Sequence, residues 1–121
     1  GVKVRLILSH WQARHMDDVQ ALQRVPGCDV RIATVPEHDS GFIPFARVVH
    51  AKYLVVDGAW LWLGSSNWKG DYFLTGRNVG LVVSGGALPA QAQEVFEQLW
   101  ASPYVADVDP ERRYEAPRIG P

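Results

Sequence analysis

Cysteine is nearly absent: Cys28 is the only one in 121 residues. One thiol excludes an intrachain disulfide and a cysteine-rich zinc site, though not an oxidising compartment. A dominant charge of one sign is also missing, since 12 basic residues stand against 13 acidic ones for a formal net charge of −1. That balance gives no global electrostatic footprint for duplex DNA or an anionic membrane, so no stable duplex binding is expected. It does not exclude a small phosphate-binding cleft. No apolar run approaches the roughly 20 residues of a membrane span, and no signal-peptide pattern is present. The chain opens on Gly1 rather than methionine, so a piece of a longer protein is expected and the localisation stays unknown. His10, His15 and His38 lack metal-ligand spacing, and no metal or other cofactor is expected.

What is present is apolar mass: 47% of the residues are hydrophobic, enough for the core of one domain. Val2 to Ser9 alternates and predicts a strand, with His10 and Trp11 at its end, where they could line a cleft. Val19, Leu22 and Val25 recur at helical spacing behind Asp17 and Asp18, predicting a helix from Met16 to Val25 that Pro26-Gly27 stops. Asp29 to Val35 is a second strand. Strand, helix, strand argues for parallel pairing in an α/β sheet. Asn78 to Ser84 predicts a further strand. Pro89 opens a helix that runs to about Ala101 with Ala92, Val95, Phe96, Leu99 and Trp100 as its apolar stripe. Residues 1–101 are thus expected to form the domain and residues 102–121, which hold four of the eight prolines, an extended tail.

The stretch from Arg47 to Asn67 organises the rest. Residues 46–56 suit a strand buried on both faces. Asp57-Gly58 follows as a two-residue hairpin signal, because both central positions want positive φ. With that turn, Val56 pairs with Ala59, Lys52 faces Leu63 and His50 faces Ser65. His50, Lys52, Ser65 and Asn67 then share one face at one end of the hairpin. Asp57 falls at the other end, roughly 20 Å from His50, and braces the turn. A histidine can act as nucleophile or acid near neutrality. Lys52 can hold a phosphate oxygen, and a lysine on so apolar a strand is costly unless it is paired or has a task. Ser65 and Asn67 can add hydrogen bonds. Trp60, Trp62 and Trp68 read first as core, and secondarily as surfaces for bases or lipid.

His50-x-Lys52-xxxx-Asp57 followed by Gly64-Ser65-Ser66-Asn67 resembles the phospholipase D superfamily. The runs IPFARVVHAKYLVV, GSSNWKGDYF and LWASPY are similar to the second half of its lysosomal 5′ exonuclease branch. The resemblance implies an α/β half domain with a mixed, mostly parallel sheet flanked by helices, its hairpin carrying both motifs. It implies a metal-independent phosphodiesterase in which two halves share a site, one histidine forming a phosphohistidine and the other protonating the leaving group. His50 would be the second-half acid and then base, Lys52 and Asn67 phosphate ligands supported by Ser65, and Asp57 the motif aspartate. Asn78 stands where many single-motif relatives carry a glutamate. The implied partners are a phosphodiester substrate, phospholipid or single-stranded nucleic acid, and a second half from the parent chain or a homodimer mate. The competing reading is a non-catalytic phosphate-binding or interaction half.

Overall fold

The computed structural model describes all residues, 1–121, and divides them into two compact units: Gly1–His50 with Leu99–Pro121, and Ala51–Gln98. The elements in chain order are β1 (Val4–Ser9), a 3-10 segment (His10–His15), α1 (Met16–Gln23), β2 (Cys28–Ala33), β3 (Tyr53–Val56), β4 (Trp60–Gly64), α2 (Gly70–Leu74), β5 (Gly80–Ser84), α3 (Leu88–Trp100) and β6 (Val105–Asp107). No helix is long and apolar enough to cross a membrane.

In the first unit the strands order β1-β2-β6, with β1 and β2 parallel and β6 antiparallel to β2. The β1–α1–β2 crossover is the connection that parallel pairing requires. Ser9 ends β1 by accepting the Trp11 N–H on its hydroxyl, and Asp17 and Asp18 occupy the first turn of α1, where carboxylates favour the helix dipole. Gly27 turns the chain into β2 at φ +84°, and a Cβ there would stand 2.8 Å from the Val2 carbonyl oxygen. Val30 is fully buried and packs with Met16, Val19 and Val108, flanked by Leu6, Leu8 and Ile32. Each such side chain contributes about 1.5–3 kcal/mol on leaving water. Residues 102–121 supply β6 and Val108 to this unit. Arg31 lies 4.1 Å over the Trp100 ring and pairs with Asp107 at 2.7 Å.

The second unit holds an antiparallel sheet in the order β3-β4-β5. The expected mostly parallel sheet is therefore corrected. There are two three-stranded sheets, and β1–β2 is their one parallel pair. The expected strand over 46–56 is likewise shorter and begins at Tyr53. Phe45 and Arg47 have φ of 60° and 63°, left-handed values that a strand does not admit. Arg47 holds that bend by donating Nε to the Val35 carbonyl at 2.7 Å and pairing Nη1 with Glu37 at 3.0 Å.

The Asp57-Gly58 turn has the expected backbone, with φ of 52° and 64° and the Ala59 N–H donating to the Val56 carbonyl. Its register differs. Val56 pairs with Trp60 and Tyr53 with Leu63, because Ala59 is an extra residue between turn and ladder. A one-residue slip moves side chains to the opposite face. Lys52 therefore lies opposite Gly64, whose N–H donates to the Lys52 carbonyl at 3.1 Å, and not opposite Leu63. Trp62 lies across both Gly64 and Gly80, register partners on β4 and β5. A Cβ would come within 2.4 Å of its ring at Gly64 and 2.9 Å at Gly80, so glycine at both positions seats the indole.

Candidate active site

His50 is exposed and lies in irregular backbone after the Arg47 bend, in the first unit. Lys52, Ser65, Asn67, Asp57 and Asn78 belong to the second. Neither His50 nor Lys52 sits within a hairpin strand, because β3 starts one residue after the lysine.

Within the second unit the backbone places Lys52 beside the GSSN run through its bond with Gly64. Lys52 is half-buried, and loss of water lowers its ammonium below the ordinary lysine value. Burial also pushes the phenol of its neighbour Tyr53 up, which keeps that group neutral near pH 7.

Ser65 is fixed from two sides. Its hydroxyl lies 3.3 Å from Asn78 Oδ1 and accepts the Val79 N–H at 3.1 Å, while its own N–H donates to the Val79 carbonyl. Asn78 in turn donates Nδ2 to the Tyr72 carbonyl at 2.7 Å. Asn78 thus braces the GSSN run from the β5 side. Asn67 is half-buried, and its carbonyl accepts the Lys69 N–H at 2.7 Å. Asp57 occupies the turn, five residues and roughly 16 Å along extended chain from Lys52. The structure joins Lys52 to Gly64 through the backbone and Ser65 to Asn78 through side chains, and leaves Asp57 at the other end of the hairpin; with Lys52 opposite Gly64, the expected common face of Lys52 and Ser65 is corrected.

Ser66 and Arg47 gain weight that sequence reasoning did not give them, and His10, expected at a strand end where it could line a cleft, is buried instead. Ser66, in the middle of the motif, is only 5% exposed, and its place in the GSSN run was its only signal. Arg47 sets the bend before His50, and its signal was a cation inside an apolar run. His10 is 9% exposed and its Nδ1 is buried without a hydrogen-bond partner. Burial holds its imidazole below the usual value, the Arg47 charge lowers it further, and a hydrogen bond to the Ala33 backbone acts the other way. At the carboxyl end of β2, Ala33, Val35, Pro36, Val49, Leu99 and Tyr104 line an apolar cleft of about 320 Å³, the end of a strand at which open α/β sheets commonly hold ligands. No group of three or more His, Cys, Asp or Glu side chains converges as a metal site would.

The mixed α/β fold and the motif order agree with a phospholipase D-like domain. The chain belongs to that family: the family model described as cardiolipin synthase, PLD-like domain, matches residues 1–100. It is 35% identical over 89% of its length to a probable phospholipase D of Caenorhabditis elegans, of which it covers 22%. It is similarly 35% identical to phospholipase D Z of Dictyostelium discoideum, across 86% of this chain and 25% of that one. A 5'-3' exonuclease of Bos taurus is 37% identical across 90% of this chain and 25% of its own length. The chain spans about a quarter of the curated relatives it matches.

Proposed function

We propose that the chain, with residues 1–101 as a half domain, contributes the second histidine of a two-histidine phosphodiesterase. The observation that carries this reading is the complete HxKxxxxD and GSSN set in a chain of this family, with Lys52 paired to the first residue of GSSN. In the first step a histidine from the other half attacks phosphorus. As that N–P bond forms, the P–O bond to the leaving group breaks, and His50 donates its proton to the departing oxygen. In the second step neutral His50 takes a proton from water, or from an acceptor alcohol, which attacks the phosphohistidine and restores both histidines. Lys52 and Asn67 neutralise and hydrogen-bond the non-bridging oxygens as charge develops, with Ser65 in support. Every proton and charge in this scheme is handled by side chains, so the reaction needs no metal.

The other half comes from the parent chain or from a second copy. The Lys52 face of the hairpin supports an interface there: Leu54, Val56, Trp60 and Val82 share that face by register and are all substantially exposed. Apolar side chains grouped in this way mark association surfaces. The relatives include proteins named both phospholipase D and 5'-3' exonuclease, so the substrate is a phospholipid or a single-stranded nucleic acid.

Hydrolysis of a small chromogenic phosphodiester in excess chelator, by this chain alone and by the parent protein, tests the reading. Chelator-resistant turnover by the chain alone means a self-complementing dimer, and turnover by the parent alone means half a site. A folded parent that turns over nothing supports the non-catalytic phosphate-binding half instead.

A further inference from the structure

Residues 109–114 form a loop fastened to α1 by part-buried contacts from Gln20 and exposed ones from Arg24. Gln20, 9% exposed, donates its side-chain amide to the carbonyls of Asp109 at 3.0 Å and Arg112 at 2.7 Å. Arg24 donates to the Pro110 carbonyl at 2.6 Å and pairs with Glu111 at 3.0 Å. Inside the loop the Asp109 N–H donates to the Tyr114 hydroxyl, and the Glu111 N–H to Asp109 Oδ1. These anchors use backbone groups and the side chains of Asp109, Glu111 and Tyr114, so Arg112 and Arg113 stay exposed.

Between this loop and the start of α1 runs a polar cleft of about 380 Å³. Arg14 and His15 line it with Asp17 and Asp18 on the α1 side, and Arg112, Arg113 and Tyr114 line it from the loop. The lining residues include three arginines and two aspartates, a local excess of one positive charge. Glu111, the acid nearest the loop arginines in sequence, is held by Arg24 instead. The Arg112 guanidinium lies 5.3 Å over the Tyr114 ring, and an arginine paired with an aromatic ring offers flat surfaces on which bases stack.

We propose that this cleft is a binding site for the phosphodiester backbone of single-stranded nucleic acid, with Arg14, Arg112 and Arg113 on the phosphates and the Arg112–Tyr114 pair against a base. A concave groove admits one strand, whereas a lipid surface needs a flat or convex basic face. The loop is already fastened before a ligand arrives, so binding costs little ordering entropy. The assignment of this strand as the enzyme's substrate rests on the proposed phosphodiesterase reading; binding itself does not.

Fluorescence anisotropy with a labelled oligothymidylate of roughly ten nucleotides, within the usual site size, tests the proposal on the full chain across a salt series. Each phosphate contact to a single strand contributes a slope of about −0.7 in log affinity against log salt. The triple variant Arg14→Gln, Arg112→Gln, Arg113→Gln is expected to lose about 2 units of slope and at least about tenfold in low-salt affinity, with an unchanged circular dichroism spectrum. Anisotropy reads binding without turnover, so loss of binding and loss of the phosphodiesterase reading are separate results. An unchanged salt slope in the triple variant overturns the proposal. So does arginine-dependent capture by phosphatidylserine vesicles without oligonucleotide binding, which assigns the cleft to lipid.

Discussion

The Ser65 hydroxyl lies 3.3 Å from Asn78 Oδ1 and accepts the Val79 N–H at 3.1 Å, so the GSSN run is tied to the strand that follows it. Ser65 is in this way a structural pin as well as a candidate phosphate neighbour.

Removing the pin has a measurable cost. Ser65→Ala loses the acceptor of the Val79 N–H, and Asn78→Ala loses the bond to the Tyr72 carbonyl. Each is expected to destabilise by about 1 kcal/mol. Because the two share a contact, the double variant is expected to fall short of the sum, as read by urea denaturation of all three variants. Full additivity would separate the two residues.

The glycine pair under Trp62 is a steric requirement. At Gly64 an added methyl meets the indole at 2.4 Å, and the ring must leave its place over β5. Gly64→Ala is expected to lower stability by about 1–3 kcal/mol and to change the near-ultraviolet dichroism, since Trp62 also stacks edge-on with Trp68 at 5.3 Å. An unchanged tryptophan spectrum would show that the indole is seated elsewhere.

Buried His10 predicts a pH dependence of known sign. Its folded pKa lies below the ordinary 6.5, so below about pH 6.5 the unfolded chain takes up a proton that the folded chain resists. Stability from neutral His10 is complete above that pH and is lost as pH falls through the window beneath it. Protonation would also set a second cation near Arg47. His10→Gln is expected to flatten the decline in denaturant midpoint between about pH 7 and pH 5. Parallel profiles for the two proteins would remove His10 as the cause.

The parallel β1–β2 pair and the helices α1 and α3 were legible because each rests on local periodicity with a clear stop signal. The Asp57-Gly58 turn was legible for the same reason. Its register was not, since the extra Ala59 is a property of how the turn meets the ladder, and one residue decides which side chains share a face with Lys52. The Arg47 bend was hidden inside a run that reads as continuous strand, and what enforces it, the Val35 carbonyl and Glu37, is ten or more residues away. β6 is three residues long and carries no periodicity. The candidate site residues stood out through motif spacing, whereas Ser66 and Arg47, and the burial of His10, gain meaning only once the chain is folded.

The central claim is that His50 exchanges a proton with the leaving group and then with the incoming nucleophile. Turnover of a small chromogenic phosphodiester by the parent protein, unaltered and with His50→Ala, tests it most directly. General acid–base catalysis contributes about 10²–10⁴-fold, so the variant is expected to lose at least about a hundredfold in kcat while its thermal unfolding midpoint stays in place. A correctly folded variant with turnover within twofold of the unaltered protein would contradict the account and remove His50 from the chemistry.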